Sequence, residues 1–218
     1  MTEATAKAFP EFGDHVLLAI DTAIGTSVAV GTSYGVTVAS SDDTRGHAEA
    51  IGRLLAQAFR DAEVDPAKVT GVVSGIGPGP FTGLRVGIAA AHAFAVARRV
   101  PLLPVQGHAA AALRELEAGA TAGVRVVQDA RRRELFVTEF SGLDWAGVPV
   151  AVSGPQLCAR DAFEEHTNDV WPERIPGDAL VRLAARKLAS GGAFDEDRAL
   201  YLRAPDVAQP GAPKRVST

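Results

Sequence analysis

Cysteine is almost absent: Cys158 is the only one in 218 residues. That excludes an internal disulfide framework and a multi-cysteine zinc site, and it fits a reducing compartment. Lysine is nearly as scarce, limited to Lys7, Lys68, Lys187 and Lys214. No excess of positive charge exists either, since the net charge is −4. A surface devoted to nucleic-acid phosphates is thereby excluded, because such binding is driven by dense Lys/Arg contacts. Long hydrophobic runs are missing too. The most apolar stretch, around residues 86–97, is interrupted by His92 and falls short of the roughly 20 apolar residues a membrane span needs. The first fourteen residues lack the basic start and apolar core of an export signal. These absences together lead to the expectation of a cytoplasmic protein that does not enter a membrane.

What is present is a 47% apolar chain, enough for a core of its own. Val16 to Ile20, Thr26 to Gly31 and Val36 to Ala39 are short β-rich runs separated by glycine turns, which predicts an antiparallel meander. The period then changes. Ile51, Leu54, Leu55, Ala58, Phe59 and Ala62 recur at helical spacing and predict an amphipathic helix over 47–62. A strand over 69–76, a Gly/Pro loop over 77–83, a helix over 84–99 and a strand over 102–105 follow, an alternation that implies parallel pairing with crossovers. The second half reads as a helix at 107–118, strands at 124–128, 135–140 and 148–152, and helices at 160–166 and 178–189. Three antiparallel strands followed by βαβ units is the order of one half of an actin-like or ribonuclease-H-like domain. The expected class is therefore α/β, an actin-like ATPase fold of two subdomains. The expected boundaries are a flexible extension at 1–14, an N-terminal subdomain at 15–105, a smaller C-terminal one at 106–203, and a flexible tail at 204–218.

Several segments invite a chemical reading. Ser74 to Arg85 joins a strand to a helix through Gly75, Gly77, Gly79 and Gly83, so its amides are candidates for an anion cradle. It lacks the lysine of a Walker loop, and glycines also serve tight turns and close packing. Asp21 and Thr22 follow the first strand, where actin-type ATPases keep a metal-organising Asp and a hydroxyl-bearing loop. They equally suit a capped hairpin turn. Asp21, Thr22, Gly77 and Gly79 are thus the candidate vestigial nucleotide loop. Gly31-Thr32-Ser33-Tyr34-Gly35 matches Gly-x-Ser-x-Gly but joins two strands, the wrong context for a nucleophile elbow. His15, His47, His92, His108 and His166 are scattered, no two of them four apart, so each is expected to cap a helix or lie on the surface, with no metal site.

The helix over 84–99 is the most informative segment. Arg85, His92 and Arg99 form one narrow polar stripe, while Leu84, Val86, Ile88, Phe94, Val96, Gly87 and the alanines occupy the other directions. A helix so apolar all round is covered on more than one side. A partner on this helix and on 47–62 is the expectation, with Ile51, Leu54, Leu55, Ala58, Leu84, Ile88, Ala91, His92 and Ala95 as candidate interface residues.

With those residues in view, the chain resembles the TsaB family, the dimerisation subunit of the bacterial complex that makes threonylcarbamoyladenosine in transfer RNA. The match runs from residue 16 to about 203. It is carried chiefly by residues 77–88, with Ile20-Asp21-Thr22, His47-Ala48-Glu49, Asp129 to Glu134 and Tyr201-Leu202-Arg203 in support. The resemblance implies a non-catalytic subunit that pairs with the catalytic paralogue TsaD, works with the ATPase TsaE, touches transfer RNA only indirectly, and forms a homodimer when alone. It places the metal in TsaD and allows ATP in the complex, with no cofactor in this subunit. The positions that align with the TsaD His-x-x-x-His pair are Gly107 and Ala111, neither of which binds metal. Ala23 and Ala48 depart from the serines expected there. The rival reading is a residual actin-type ATPase or a glycoprotease-like hydrolase.

Overall fold

The computed structural model describes residues 9–43 and 46–203. The antiparallel meander forms as its glycine turns dictate: β1 (Leu17–Asp21), β2 (Thr26–Thr32) and β3 (Gly35–Ser41) pair in sequence order. After α1 (His47–Asp61), β4 (Gly71–Gly75) adds parallel to β1. After α2 (Phe81–Arg98), β5 (Leu102–Val105) adds parallel to β4. The result is one mixed sheet of order β3-β2-β1-β4-β5. Its strands bear apolar side chains on both faces, and each face is covered by helices, as strands buried on two sides require.

One face packs on α1 and α2. There Leu18, Ile20, Val28 and Val30 meet Ile51, Leu54, Ala58, Ala91 and Ala95. The other face is covered from the far end of the sequence: α4 (Gly177–Ser190) lays Leu180, Val181 and Ala184 against Leu17, Ala19 and Ala29. Between them lies the second unit. From α3 (Gly107–Glu117) the chain enters β6 (Val124–Asp129), β7 (Glu134–Leu143), β8 (Pro149–Ala159) and the short β9 (Asp169–Val170), a sheet of order β8-β7-β6-β9. Ala111 and Ala112 of α3 pack on Val124, Val126 and Phe140.

Five expectations need correction. Residues 9–14 do not stand off as an extension, because Phe12 is fully buried against Gly31, where any Cβ would collide with its ring. Residues 1–8 and the expected tail at 204–218 lie outside the described residues. The boundary at 105 divides the chain but not its core, since α4 completes the N-terminal sheet. The expected helix at 160–166 is a single 3₁₀ turn, Arg160–Ala162, and the strand expected at 148–152 runs on to Ala159. Finally α2 begins at Phe81, three residues before the apolar period suggested.

The candidate interface residues divide sharply. Ile51, Leu54, Ala58, Leu84, Ala91 and Ala95 are buried in the chain's own core. Leu55, Ile88 and His92 are half-buried, and His92 Nε2 lies 2.9 Å from Asp197 Oδ1. The most apolar positions of the two helices thus face the sheet. Ala91→Arg and Ile51→Asp are therefore expected to abolish folding, costing about 4 kcal/mol or more by burying an unpaired charge. Urea unfolding followed by circular dichroism measures this, and a native-like midpoint in either variant would place that residue outside the core.

Candidate functional site

The site begins where β1 ends. Asp21 is buried, and its Oδ1 accepts the backbone N–H of Ala23 at 2.8 Å, the local bond that turns the chain toward β2. Thr22 points the other way. Its hydroxyl donates to the carbonyl of Gly83 at 2.6 Å and accepts the N–H of Gly87 at 3.1 Å. Those two groups are four residues apart, one helical turn of α2. A Cβ on Gly87 would overlap the Thr22 hydroxyl, and one on Gly83 would lie 2.7 Å from the Thr22 carbonyl oxygen. The glycines of the signature helix are thus contact points, and α2 is locked onto the loop after β1.

In front of that lock lies a cleft of about 720 Å³. Ala23, Ile24 and Gly25 form one wall, His47 and the start of α2 at Thr82 and Gly83 a second, and Gln128, Asp129 and Arg131 from the second sheet the third, with Trp171 at the rim. The α2 N-terminus has no side-chain cap, so its partial positive charge and Arg131 favour an anionic or polar ligand. Among the described residues no serine, cysteine or lysine lines this cleft. Among the described residues no group of three His, Cys, Asp or Glu side chains could hold a metal.

Of the candidate nucleotide-loop residues, Asp21, Thr22 and Gly77 lie behind the cleft wall, and Gly79 packs against Ala23. Asp21 Oδ2 is enclosed without a hydrogen-bond partner among the described residues. Gly75 closes on it so tightly that a Cβ there would overlap the carboxylate. An actin-type magnesium nucleotide needs that carboxylate on the cleft surface. These residues do not fit the group. Burial instead pushes the Asp21 carboxyl up to about 6.

Sequence reasoning missed a buried polar chain that spans the two units. Gln128 Nε2 donates to the carbonyl of Ala23 at 3.3 Å, and its Oε1 lies 3.0 Å from His108 Nε2. His108 Nδ1 lies 2.8 Å from the Thr138 hydroxyl. Because a carbonyl only accepts, Ala23 fixes the Gln128 amide, which fixes Nε2–H as the His108 donor and leaves Nδ1 to accept from Thr138. His108 and His47 are therefore buried, hydrogen-bonded groups and not surface or capping residues, with His47 Nδ1 2.9 Å from Thr26 Oγ1. Burial brings the His108 imidazole down to about 4. The only sequence signal was a lone histidine followed by an alanine-rich, apolar helical stretch.

The fold is that of the actin-like ATPases, as two solved structures show. YeaZ from Pseudomonas aeruginosa superposes with a TM-score of 0.75 at 21% identity, covering 86% of this chain and 100% of that one. A second, described as an uncharacterized protein of that organism similar to peptidase YeaZ, gives 0.73 at 23%, covering 87% and 100%. The family follows from sequence. The family described as TsaD, tRNA N6-adenosine threonylcarbamoyltransferase, matches residues 25–161, more than half of the chain. The chain belongs to that family, in which the TsaB resemblance of its loop and α2 also places it. Similar curated proteins include an uncharacterized protein of Mycobacterium leprae, 34% identical over 62% of this chain and 38% of its own length. One of Mycobacterium tuberculosis is 35% identical over 56% and 58%. The tRNA N6-adenosine threonylcarbamoyltransferase of Streptococcus suis is 44% identical over 34% and 24%. The chain thus spans less than two thirds of the length of these relatives.

The two buried titrating groups act oppositely on stability. Asp21 holds its proton more tightly folded than unfolded, so its contribution is full below pH 3.8 and is lost as pH rises through about 6. His108 resists protonation when folded, so its contribution is full above pH 6.5 and is lost as pH falls to about 4. Each amounts to about 3 kcal/mol, and over this window they offset one another. Asp21→Asn is expected to steepen the loss of stability on acidification from pH 6.5 to 4 relative to the wild type. His108→Gln is expected to make stability rise over the same interval. Urea midpoints at several pH values check both, and parallel profiles for all three proteins would overturn the assignment.

Proposed function

We propose that this chain is a TsaB-type partner subunit that pairs with TsaD. In that role it supports transfer of a threonylcarbamoyl group to the adenosine beside the transfer-RNA anticodon, without catalytic machinery of its own. The observation that carries this reading is the outer face of α2. Between Arg85 and Arg98 the helix has no charged residue. Ala89, Ala93, Val96 and Ala97 are exposed, with Val96 at 74%, and the neighbouring face of α1 offers Gly52 and Ala56. Small side chains at helical spacing let another helix pair approach closely, and an apolar strip of this kind gains from being covered.

The partner is a TsaD subunit with its own metal, TsaE joins in a larger assembly, and the chain closes on a second copy of itself when TsaD is missing. The setting is cytosolic. Among the described residues no helix is long and apolar enough to cross a membrane.

Size-exclusion chromatography with light scattering on the purified chain, alone and mixed with TsaD of the same organism, tests the pairing. A stable mixed complex is expected for the wild type. Ala93→Arg and Val96→Asp are expected to weaken it by tenfold or more with unchanged thermal midpoints, because both positions face solvent in the single chain. An unaltered complex with both variants would remove this face from the interface, and no complex at all would overturn the TsaD reading.

A further inference from the structure

The turn between β6 and β7 carries three arginines in succession, and all three have positive φ: Arg131 at 64°, Arg132 at 55° and Arg133 at 61°. Residues other than glycine rarely enter that region, and runs of it concentrate where a segment is held for a purpose beyond the turn itself. A hairpin needing only to reverse would be served by Gly or Asn. Here the strained positions carry cationic side chains.

The turn faces a second groove of about 370 Å³, separate from the larger cleft but sharing Pro80 and Arg131 with it. Gly79, Phe81, Arg132 and Tyr201 are among the other residues that line it. The rings of Phe81 and Tyr201 are tilted over each other with centroids 4.8 Å apart, and both are more than a third exposed. Arg85 fixes the pair: its guanidinium carbon lies 4.3 Å above the Phe81 ring, and its Nε donates to the Tyr201 hydroxyl at 3.2 Å.

The local charge is positive although the whole chain is acidic. Arg133 faces Asp161 at 3.8 Å, Arg160 faces Asp129 at 3.7 Å, and Arg203 is paired with Glu134. Arg131, on the ridge between the two grooves, and Arg85 have no carboxylate partner among the described residues. Exposed aromatic rings beside uncompensated arginines are what a single-stranded nucleic acid engages, with bases stacking on the rings and phosphates meeting the cations.

Resting on the pairing function proposed above, we infer that this groove binds an unpaired segment of the RNA substrate directly. Tyr201, backed by Phe81, stacks on a base, and Arg131 meets the adjoining phosphate. This departs from the expectation of indirect contact, and the small footprint is compatible with a net charge of −4.

The test is fluorescence anisotropy with the full chain and a fluorescein-labelled transfer-RNA anticodon stem-loop at low salt. Wild type is expected to bind it more tightly than a fully paired RNA of equal length, because stacking needs open bases. Tyr201→Ala is expected to weaken binding by about tenfold, with Tyr201→Phe restoring it. Arg131→Ala is expected to weaken binding and to reduce the log–log salt slope by about 0.7, one phosphate contact on a single strand. Arg53→Ala, on the exposed face of α1 outside the groove, is expected to change neither. Equal affinity for paired and unpaired RNA, or indifference to both groove variants, would overturn the inference. So would displacement of the RNA by ADP alone, which would assign the groove to a free nucleotide. Pairing with TsaD is read without RNA, so its failure and the failure of this groove are separate results.

Discussion

The hydroxyl of Thr22, seated between the carbonyl of Gly83 and the N–H of Gly87, is the contact on which the rest of the arrangement depends. It bonds to two backbone groups of α2 and so ties the helix to the loop that follows β1. Both glycines are needed for the approach, since a methyl at either would meet the Thr22 hydroxyl or carbonyl. Once this register is fixed, the Gly/Pro loop must run along the back of the cleft and the α2 N-terminus must open into it. The face bearing Ala91 and Ala95 must then turn inward, leaving Ala89, Ala93 and Val96 outside. The signature loop therefore reads better as a docking device than as a phosphate cradle.

Much of the N-terminal unit was legible because its signals are local. Glycine turns delimit β1 to β3, and a strong apolar stripe marks α1 from Ile51 to Phe59. The orientation of α2 was not legible, and the reason is compositional. A helix that is apolar in almost every direction has no preferred inner face in its own sequence, so only the sheet it meets decides. The bulkiest apolar positions, Ile51, Leu54 and Leu84, belong to the chain's own core. A folded subunit keeps Leu54 and Leu84 for itself and offers a partner the small, weakly apolar residues that water tolerates while it is alone. The chain Ala23–Gln128–His108–Thr138 was invisible for another reason. It joins four residues from separate elements, none of which carries a local pattern that reveals the others.

That chain also determines how the two units communicate. Gln128 belongs to β6 of the second sheet and Ala23 to the loop beside the cleft, and a single amide spans them. With His108 neutral and its tautomer fixed by Gln128, the bridge has one satisfied arrangement and no cheap alternative, because a buried amide left unbonded costs more than its bond contributes. Asp21, on the other side of Ala23, makes the same loop sensitive to protonation. The loop after β1 is consequently held by Asp21 from below, by Gln128 from the second sheet and, through Thr22, by α2.

The sharing of one core between the two halves follows the same logic and limits where partners can bind. The far face of the first sheet is closed by α4 and by Phe12, and α4 is tied to α3 and to the N-terminal turn through Arg182, which reaches Glu11 at 3.0 Å and Glu117 at 2.7 Å. A piece ending at residue 105 would lack the α4 side chains that cover Leu17, Ala19 and Ala29. With that face closed, the first sheet can be approached only over α1 and α2. On α2 the exposed side chains between Arg85 and Arg98 are small or apolar and uncharged, whereas α1 also exposes Glu49, Arg53, Arg60 and Asp61. The arginine turn and its aromatic pair lie at the edge of this surface, at the start of α2. A partner covering the helices and an RNA strand entering the groove would therefore meet at one rim of the same molecule.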